Sequence, residues 1–413
     1  MAISTLSLGS GTYELLDGLG ATAVTKGSNT LLSSNNQITN LGIGDGHYAA
    51  SSNSNTTIKA TSIQNFTADL GSGNDALSII GNVDSASILF GNQADTENNR
   101  LDIRGDLTAS SNVLGDLNNP SSEYTDDVFG SETFGDVISR NQISGAAGDD
   151  SFKISGIVED TNFYMAAGSD SLVIGGAAED VYVNTGAGND LVEFRGITNN
   201  NIIVQTDSGN DTVIFRNELT GVISSDYATS AVELGAGNDS LTLANGASYA
   251  EINTGSGKDT LRLTGDFTST EFYLSDSVSL NTSGDSISIS SNSMFYDSSF
   301  RSINTLGDTL IVGSNSSWID SDINFANGND SLVFGSNAQF ISSRISLGDG
   351  ADTLVFGSNA IFSDGTIIDL GNDDTVDVVR FSSQSDFNDV QFIGIDDSDV
   401  YYIGTVQHTW YSV

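Results

Sequence analysis

Apolar and polar positions alternate in short runs that restart after a recurring aspartate. Asp-Ser-Leu-Val-Ile spans 170–174, Asp-Ser-Leu-Thr-Leu 239–243 and Asp-Thr-Leu-Arg-Leu 259–263, and Asp-Ser-Leu-Val-Phe and Asp-Thr-Leu-Val-Phe follow at 330–334 and 352–356. The second and fourth residues after the aspartate are apolar, and the third is often polar, as at Lys153, Glu193, Thr242 and Arg262. That is the period of two of a half-buried strand. An apolar residue also recurs seven positions before the aspartate, at Phe163, Val183, Val204, Val232, Ile252, Ile323 and Ile345. It predicts a second strand leading into each turn, hence two strands and two turns per unit.

The turn itself repeats. Gly71-Ser72-Gly73-Asn74-Asp75, Gly186-Ala187-Gly188-Asn189-Asp190 and Gly235-Ala236-Gly237-Asn238-Asp239 are full copies, and Leu41-Gly42-Ile43-Gly44-Asp45-Gly46 is a weaker one. From Asp150 the marker recurs at 170, 190, 211, 239, 259, 285, 308, 330, 352 and 374. A step of 20–22 residues is one solenoid coil, and the longer steps read as loop insertions. The expected fold is all-β, a parallel β-solenoid (β-roll or β-helix) of about 12–15 coils with non-repeat caps at both ends. Residues 1–60 read as a capping or assembly segment, 61–140 as irregular decorated coils, 141–374 as the regular solenoid and 375–413 as a C-terminal cap. Gly-Ser-Asn recurs at 313–315, 335–337 and 357–359, which stacks Asn315, Asn337 and Asn359 at the opposite corner. Amide ladders can form there, although plain turn chemistry is the preferred reading.

Composition sharpens this picture. The 413 residues carry 45 glycines, one proline (Pro120) and no cysteine, so disulfides, thiol catalysis and cysteine-based metal sites are excluded. With 54 acidic residues against 13 basic ones the net charge is -41. Such a surface repels nucleic acid and anionic lipid and attracts cations. No run of apolar residues is long enough for a membrane-spanning helix, and the N-terminus lacks the basic and apolar regions of a Sec signal.

Parallel coils stack about 4.8 Å apart, so one aspartate per coil makes a column of carboxylates. Neighbours at that spacing repel by about 1 kcal/mol even in water. A calcium ion, bound by carboxylate and carbonyl oxygens, would remove that repulsion. At this point the residues resemble a known family. The run Gly186–Val192 is similar to the Gly-Gly-x-Gly-x-Asp-x-(apolar)-x nonapeptide of RTX (repeats-in-toxin) proteins, as are 235–241 and 71–77. The resemblance implies a calcium-binding parallel β-roll with Asp75, Asp150, Asp170, Asp190, Asp211, Asp239, Asp259, Asp330 and Asp352 as ligands. It also implies type I secretion through a C-terminal signal, with which the run Asp396-Asp397-Ser398-Asp399 is compatible. This chain departs from the family pattern in carrying the motif at one corner only and in a longer coil. Lys258 sits inside one turn, and Asp285 and Asp308 lack the upstream glycine.

No catalytic constellation emerges. His47 and His408 lie near opposite ends of the chain, and the few basic residues do not make the positive cleft of a polysaccharide lyase. The expected function is structural and non-enzymatic: a secreted, self-associating protein of the bacterial cell surface or matrix, S-layer-like or filament-forming, with cell-surface polysaccharide as a further partner. The aromatic end (Tyr401, Tyr402, Trp410, Tyr411) would fill a groove on the next copy, so removing 400–413 would leave monomers. The alternatives are a phage fibre or tailspike, a calcium-dependent adhesin and, behind these, a polysaccharide-degrading β-helix enzyme. A flat Thr or Ser array would point to ice, but no strict Thr-x-Thr ladder is present.

Overall fold

The computed structural model describes the backbone of the strands within 3–69. It describes in full residues 70, 73–90, 96, 98–108, 141–222, 230–274, 284–302, 306–382, 389–395 and 399–408. No described residue is helical, and the chain packs as two compact units, Met1–Gly196 and Ile197–Val413. In each, the protein is a parallel β-solenoid, and each strand pairs with its counterpart one coil on. Ser151–Ile154 lies on Ser171–Ile174, which lies on Leu191–Phe194. In the second unit Ser240–Leu243, Thr260–Leu263, Ser286–Ile289, Thr309–Val312, Ser331–Phe334 and Thr353–Phe356 stack in the same way. The in-register pairing places like residue on like residue, which is why the sequence repeats at all.

The coil has three sides rather than the expected two. Ala247–Ser248 and Ala250–Asn253 are separate strands, and Tyr249 between them is left-handed, with φ 53°. Ser269, Asp297, Asp320, Ser342 and Asp364 make the same bend in later coils, and Asp160 and Asp180 make it within longer strands of the first unit. These are not glycines, so the third corner leaves little mark on the turn pattern. Asn and Asp are among the few residues that tolerate left-handed backbone.

The interior is filled by columns of stacked side chains. Phe163, Val183, Val204, Val232, Ile252, Ile323 and Ile345, seven positions before their aspartates, are all buried, as are the residues two and four positions after each aspartate from Asp150 to Asp352. The third side carries an aromatic column in the second unit. Phe267, Phe295, Trp318, Phe340 and Phe362 lie near-parallel, with ring centroids 4.8, 4.1, 6.4 and 5.3 Å apart. Offset stacking of this kind adds about 0.5–1.5 kcal/mol per pair beyond the area buried.

Both ends leave the parallel pattern. Ile3–Leu8 pairs antiparallel with Gly11–Leu16, and Ala21–Lys26 with Asn29–Ser34. The weak motif copy around Asp45 is not a turn. It lies inside the strand Gln37–Ala49, which runs parallel to Thr57–Asp69. At the other end the solenoid continues past the last recognised motif. Val378–Phe381 and Val400–Ile403 add two further rungs, and Val406–Thr409 folds back antiparallel on the last of them. His408 stacks on Tyr401, and Arg380 lies over the ring of Tyr402. A hairpin of this kind blunts the final parallel edge. Pro120, Trp410, Tyr411 and Asp396 to Ser398 lie outside the described residues.

Candidate metal centre

The Gly-rich corner exists because the chain must reverse while lying close against the coil below. Gly188 and Gly237 both have φ 152°, and a Cβ on them would come within 1.5 and 1.4 Å of the carbonyl oxygens of Gly168 and Gly209. Only glycine fits there. Each corner delivers its aspartate inward, and all nine aspartates implied by the RTX resemblance are buried.

The structure links them into a hydrogen-bonded ladder. In the first unit the Asp75 N–H donates to Asn99 Oδ1 at 3.0 Å, Asn99 N–H to Asp150 Oδ1 at 2.6 Å, Asp150 N–H to Asp170 Oδ1 at 2.7 Å and Asp170 N–H to Asp190 Oδ1 at 2.7 Å. In the second, Asp211 donates to Asp239, Asp239 to Asp259, Asp259 to Asp285, Asp285 to Asp308, Asp308 to Asp330 and Asp330 to Asp352, each at 2.7–2.8 Å. Asp352 then donates to Asp377 and Asp377 to Asp399. Asn99, Asp285, Asp308, Asp377 and Asp399 thus join the residues named from the motif. The marker after Asp352 is Asp377, which is buried, and not Asp374, which is exposed.

A second, outer ladder runs beside the first with opposite polarity. Asn98 N–H donates to Asn74 Oδ1, Asp149 N–H to Asn98 Oδ1 and Ser169 N–H to Asp149 Oδ1. Asn238 N–H donates to Asn210 Oδ1, Lys258 N–H to Asn238 Oδ1 and Ala351 N–H to Asn329 Oδ1. The Asn-Asp pair therefore serves both neighbours: asparagine accepts from the coil after it, and aspartate accepts from the coil before it. The backbone N–H groups of the corner find partners in these side chains, as a buried turn requires.

The inner ladder leaves a charge problem. A carboxylate offers only acceptors, and one N–H reaches one oxygen. The buried Oδ2 atoms of Asp170, Asp239, Asp330 and Asp352 have no hydrogen-bond partner. Burial pushes the Asp170 carboxyl up to about 8, against the N–H of Asp150 and with the neighbouring carboxylates adding to the rise. Burial likewise lifts Asp239, Asp330 and Asp352 to about 7. Asp150, whose Oδ2 accepts the Ala146 N–H at 2.8 Å, is raised only to about 6. Asp285 and Asp377 are pushed up to about 8, again chiefly by burial.

Asn99 shows what the missing partner has to be. It occupies an aspartate rung, and its Nδ2 donates to the Phe90 carbonyl oxygen at 3.1 Å. Asparagine fills the rung with a donor of its own; aspartate needs a proton or a cation there. The donor set is all oxygen, carboxylate and backbone carbonyl, which suits calcium and not a transition metal. Among the described residues no three acidic or histidine side chains converge on one point. An ion would therefore draw mainly on carbonyl and solvent oxygens, with aspartates from the ladder.

In the second unit a hydroxyl column lines the outside of successive strands that follow the aspartate. Ser240, Thr260, Ser286, Thr309, Ser331 and Thr353 stack in register and are half-buried. The adjacent column is mixed, with Thr242, Arg262, Ser288, Ile311, Val333 and Val355.

No protein-family model matches this chain, and no curated protein matches it. Among solved structures, a hyperactive, Ca2+-dependent, β-helical antifreeze protein from an Antarctic bacterium is similar to it at 19% identity and a TM-score of 0.43, over 78% of this chain and 83% of that one. The likeness concerns the β-helical fold alone.

Proposed function

We propose that this protein is a non-enzymatic structural solenoid of the bacterial cell surface or extracellular matrix, secreted and rigidified by calcium along its aspartate ladder. The observation that carries the reading is the row of buried carboxylates whose second oxygen, at Asp170, Asp239, Asp330 and Asp352, meets no donor. A surface of net charge -41 concentrates cations around that edge. Bound calcium would supply the positive charge that the ladder lacks. The chain itself contributes the glycine corners, the spacing of the carboxylates and a rigid stack of strands. The partner proposed is a second copy of the chain, brought together when calcium screens the acidic faces.

Calcium titration followed by chelator reversal tests this, with far-UV circular dichroism and particle size read together. The expected result is a more cooperative, more heat-resistant chain and larger particles in calcium. Equal folding and equal size in chelator would remove calcium from the account. The C-terminal hairpin changes the assembly expectation. Deleting 400–413 removes both the parallel rung on Val378–Phe381 and the antiparallel strand that caps it, so irregular association is expected rather than clean monomers.

The hydroxyl column favours a second reading, a surface that binds ice or glycan. A single Ser/Thr column flanked by Arg262, Ile311 and Val333 lacks the two-column flatness that ice would need, so the structural reading is preferred. Ice-growth inhibition at micromolar protein would reverse that preference.

A further inference from the structure

The rungs of the ladder are not equivalent. In some, the protein has already supplied the donor that the second carboxyl oxygen needs; in others it has not. Asn99 carries its own donor and spends it on the Phe90 carbonyl. At Asp150 the Ala146 N–H takes the place of a ligand on Oδ2. At Asp285 the Thr254 hydroxyl reaches Oδ2 at 3.2 Å. Asp170, Asp239, Asp330 and Asp352 are as deeply buried, and their Oδ2 atoms meet nothing.

The backbone divides the rungs in the same way. Two residues before each unsatisfied aspartate stands a left-handed glycine: Gly168 (φ 140°), Gly237 (152°), Gly328 (131°) and Gly350 (141°). The corner before Asp150 has neither Ala146 nor Gly148 in that conformation, whereas its counterpart before Asp170 has both Ala166 and Gly168 there. Two residues before Asp285 the sequence has Ser283 where the unsatisfied rungs have glycine. Side-chain satisfaction and corner conformation are independent observations, and among the described corners both separate Asp150 from the four unsatisfied rungs.

We infer that the ladder is a discontinuous ion column: Asp170, Asp239, Asp330 and Asp352 are open rungs that take a divalent cation of the calcium type, and Asn99, Asp150 and Asp285 are closed rungs sealed by the chain's own donors. The inference rests on the calcium reading above and refines it. Asp330 and Asp352 are consecutive coils, so they form the strongest open pair. Asp285 interrupts the column between them and Asp239. The closed rungs hold coils together without metal, so ion loss loosens the solenoid in stretches and not along its whole length.

The test uses the full chain and calcium itself. Bound calcium is counted by equilibrium dialysis at pH 8 for the unaltered chain and for D330N, D352N, D150N and D285N. Asparagine is already accommodated at one rung, so these exchanges keep the Oδ1 acceptor. D330N and D352N are each expected to bind one ion fewer, and D150N and D285N to bind as many as the unaltered chain. Thermal unfolding in chelator supplies the second readout. There D330N is expected to melt higher than the unaltered chain, because a neutral amide replaces an unpartnered buried carboxylate, whereas D285N gains nothing, its carboxylate already accepting from Thr254. If D285N loses as much calcium as D330N, the division into open and closed rungs falls while the calcium reading stands. If the unaltered chain takes up no calcium, both fall together.

Discussion

Two corners of the same coil solve the same stacking problem with different chemistry. At one, buried aspartates meet backbone N–H groups in a column. At the other, in the second unit, exposed asparagines stack directly: Asn315 Nδ2 donates to Asn292 Oδ1, Asn337 to Asn315 and Asn359 to Asn337, at 2.8–3.0 Å. All four are left-handed, with φ 59–64°, so they are turn residues and ladder residues at once. The plain-turn reading of the sequence covers only half of their role. An amide carries a donor and an acceptor, so a column of amides satisfies itself for any number of coils. A carboxylate carries acceptors alone, so a column of carboxylates is complete only with something added. One corner is satisfied by its own amides, and the other leaves buried carboxylate oxygens at Asp170, Asp239, Asp330 and Asp352 without a donor.

The largest expected effect separates the two corners outright. Removing calcium at pH 8 should destabilise the aspartate edge and leave the asparagine edge intact. A ligand at a hundredfold excess over its Kd stabilises by about 2.7 kcal/mol per site, so several open rungs together set the scale of the loss. Hydrogen exchange with and without chelator checks it. The amides of Asp239, Asp330 and Asp352 should lose protection, and those of Asn315 and Asn337 should keep it.

Next comes pH in the absence of calcium. The carboxyls of Asp170, Asp239, Asp330 and Asp352 stand at about 7–8 when folded, far above their ordinary value of 3.8. The folded chain therefore holds protons that the unfolded chain releases between about pH 4 and 8. The resulting stability is fully present below pH 4 and is lost as pH rises through 7–8. In chelator the melting temperature should fall steadily from pH 5 to pH 8.5. In calcium the slope should flatten, because the ion replaces the proton. A flat profile in chelator would mean that the carboxyls are not buried as described.

How much of this was legible in the sequence follows from the same comparison. The period, the inward strand positions and nine ladder aspartates all depend on Asp-x-apolar-x-apolar alternation, which the chain writes plainly. Asp285 and Asp308 were set apart because their corners lack the upstream glycine. Yet the ladder bond needs only a carboxylate and the N–H of the previous coil, and both aspartates supply these. Asp377 is hidden in the sequence because Gly371-Asn372-Asp373-Asp374 looks like the motif, whereas the strand register starts three residues later. The buried Val379 and Phe381 after Asp377 were the better guide. Asn99 could not be read at all, since one amide in an aspartate column has no signature before the column is seen. The third side of the coil escaped because its bend is made by Asp, Ser and Tyr residues and not by glycine.

A smaller effect separates the two functions of one ladder aspartate. Asp330→Ala removes the acceptor of the buried Asp308 N–H and should cost about 1–3 kcal/mol in chelator as well as in calcium. Asp330→Asn keeps that acceptor and removes the buried charge, so it should stabilise the chain in chelator and be deleterious only in calcium. Chemical denaturation of both variants in both conditions resolves the pair. Equal losses in chelator would show that the carboxylate, and not its hydrogen bond, holds the coils together.

The smallest effect tests the asparagine corner by making it resemble the aspartate one. Asn337→Asp keeps a residue that tolerates φ 59° and keeps an acceptor for Asn359 Nδ2. It removes the donor to Asn315 Oδ1 and sets one acceptor against another. Because this corner is exposed, water takes over the lost partner and screens the new charge. The expected loss is about 0.5–1 kcal/mol, and no calcium dependence should appear, since a single solvated carboxylate between two amides lacks the buried column that makes the opposite edge demand a cation. If calcium did rescue this variant, spacing alone would suffice to bind the ion, and the burial of the aspartate ladder would lose its explanatory role.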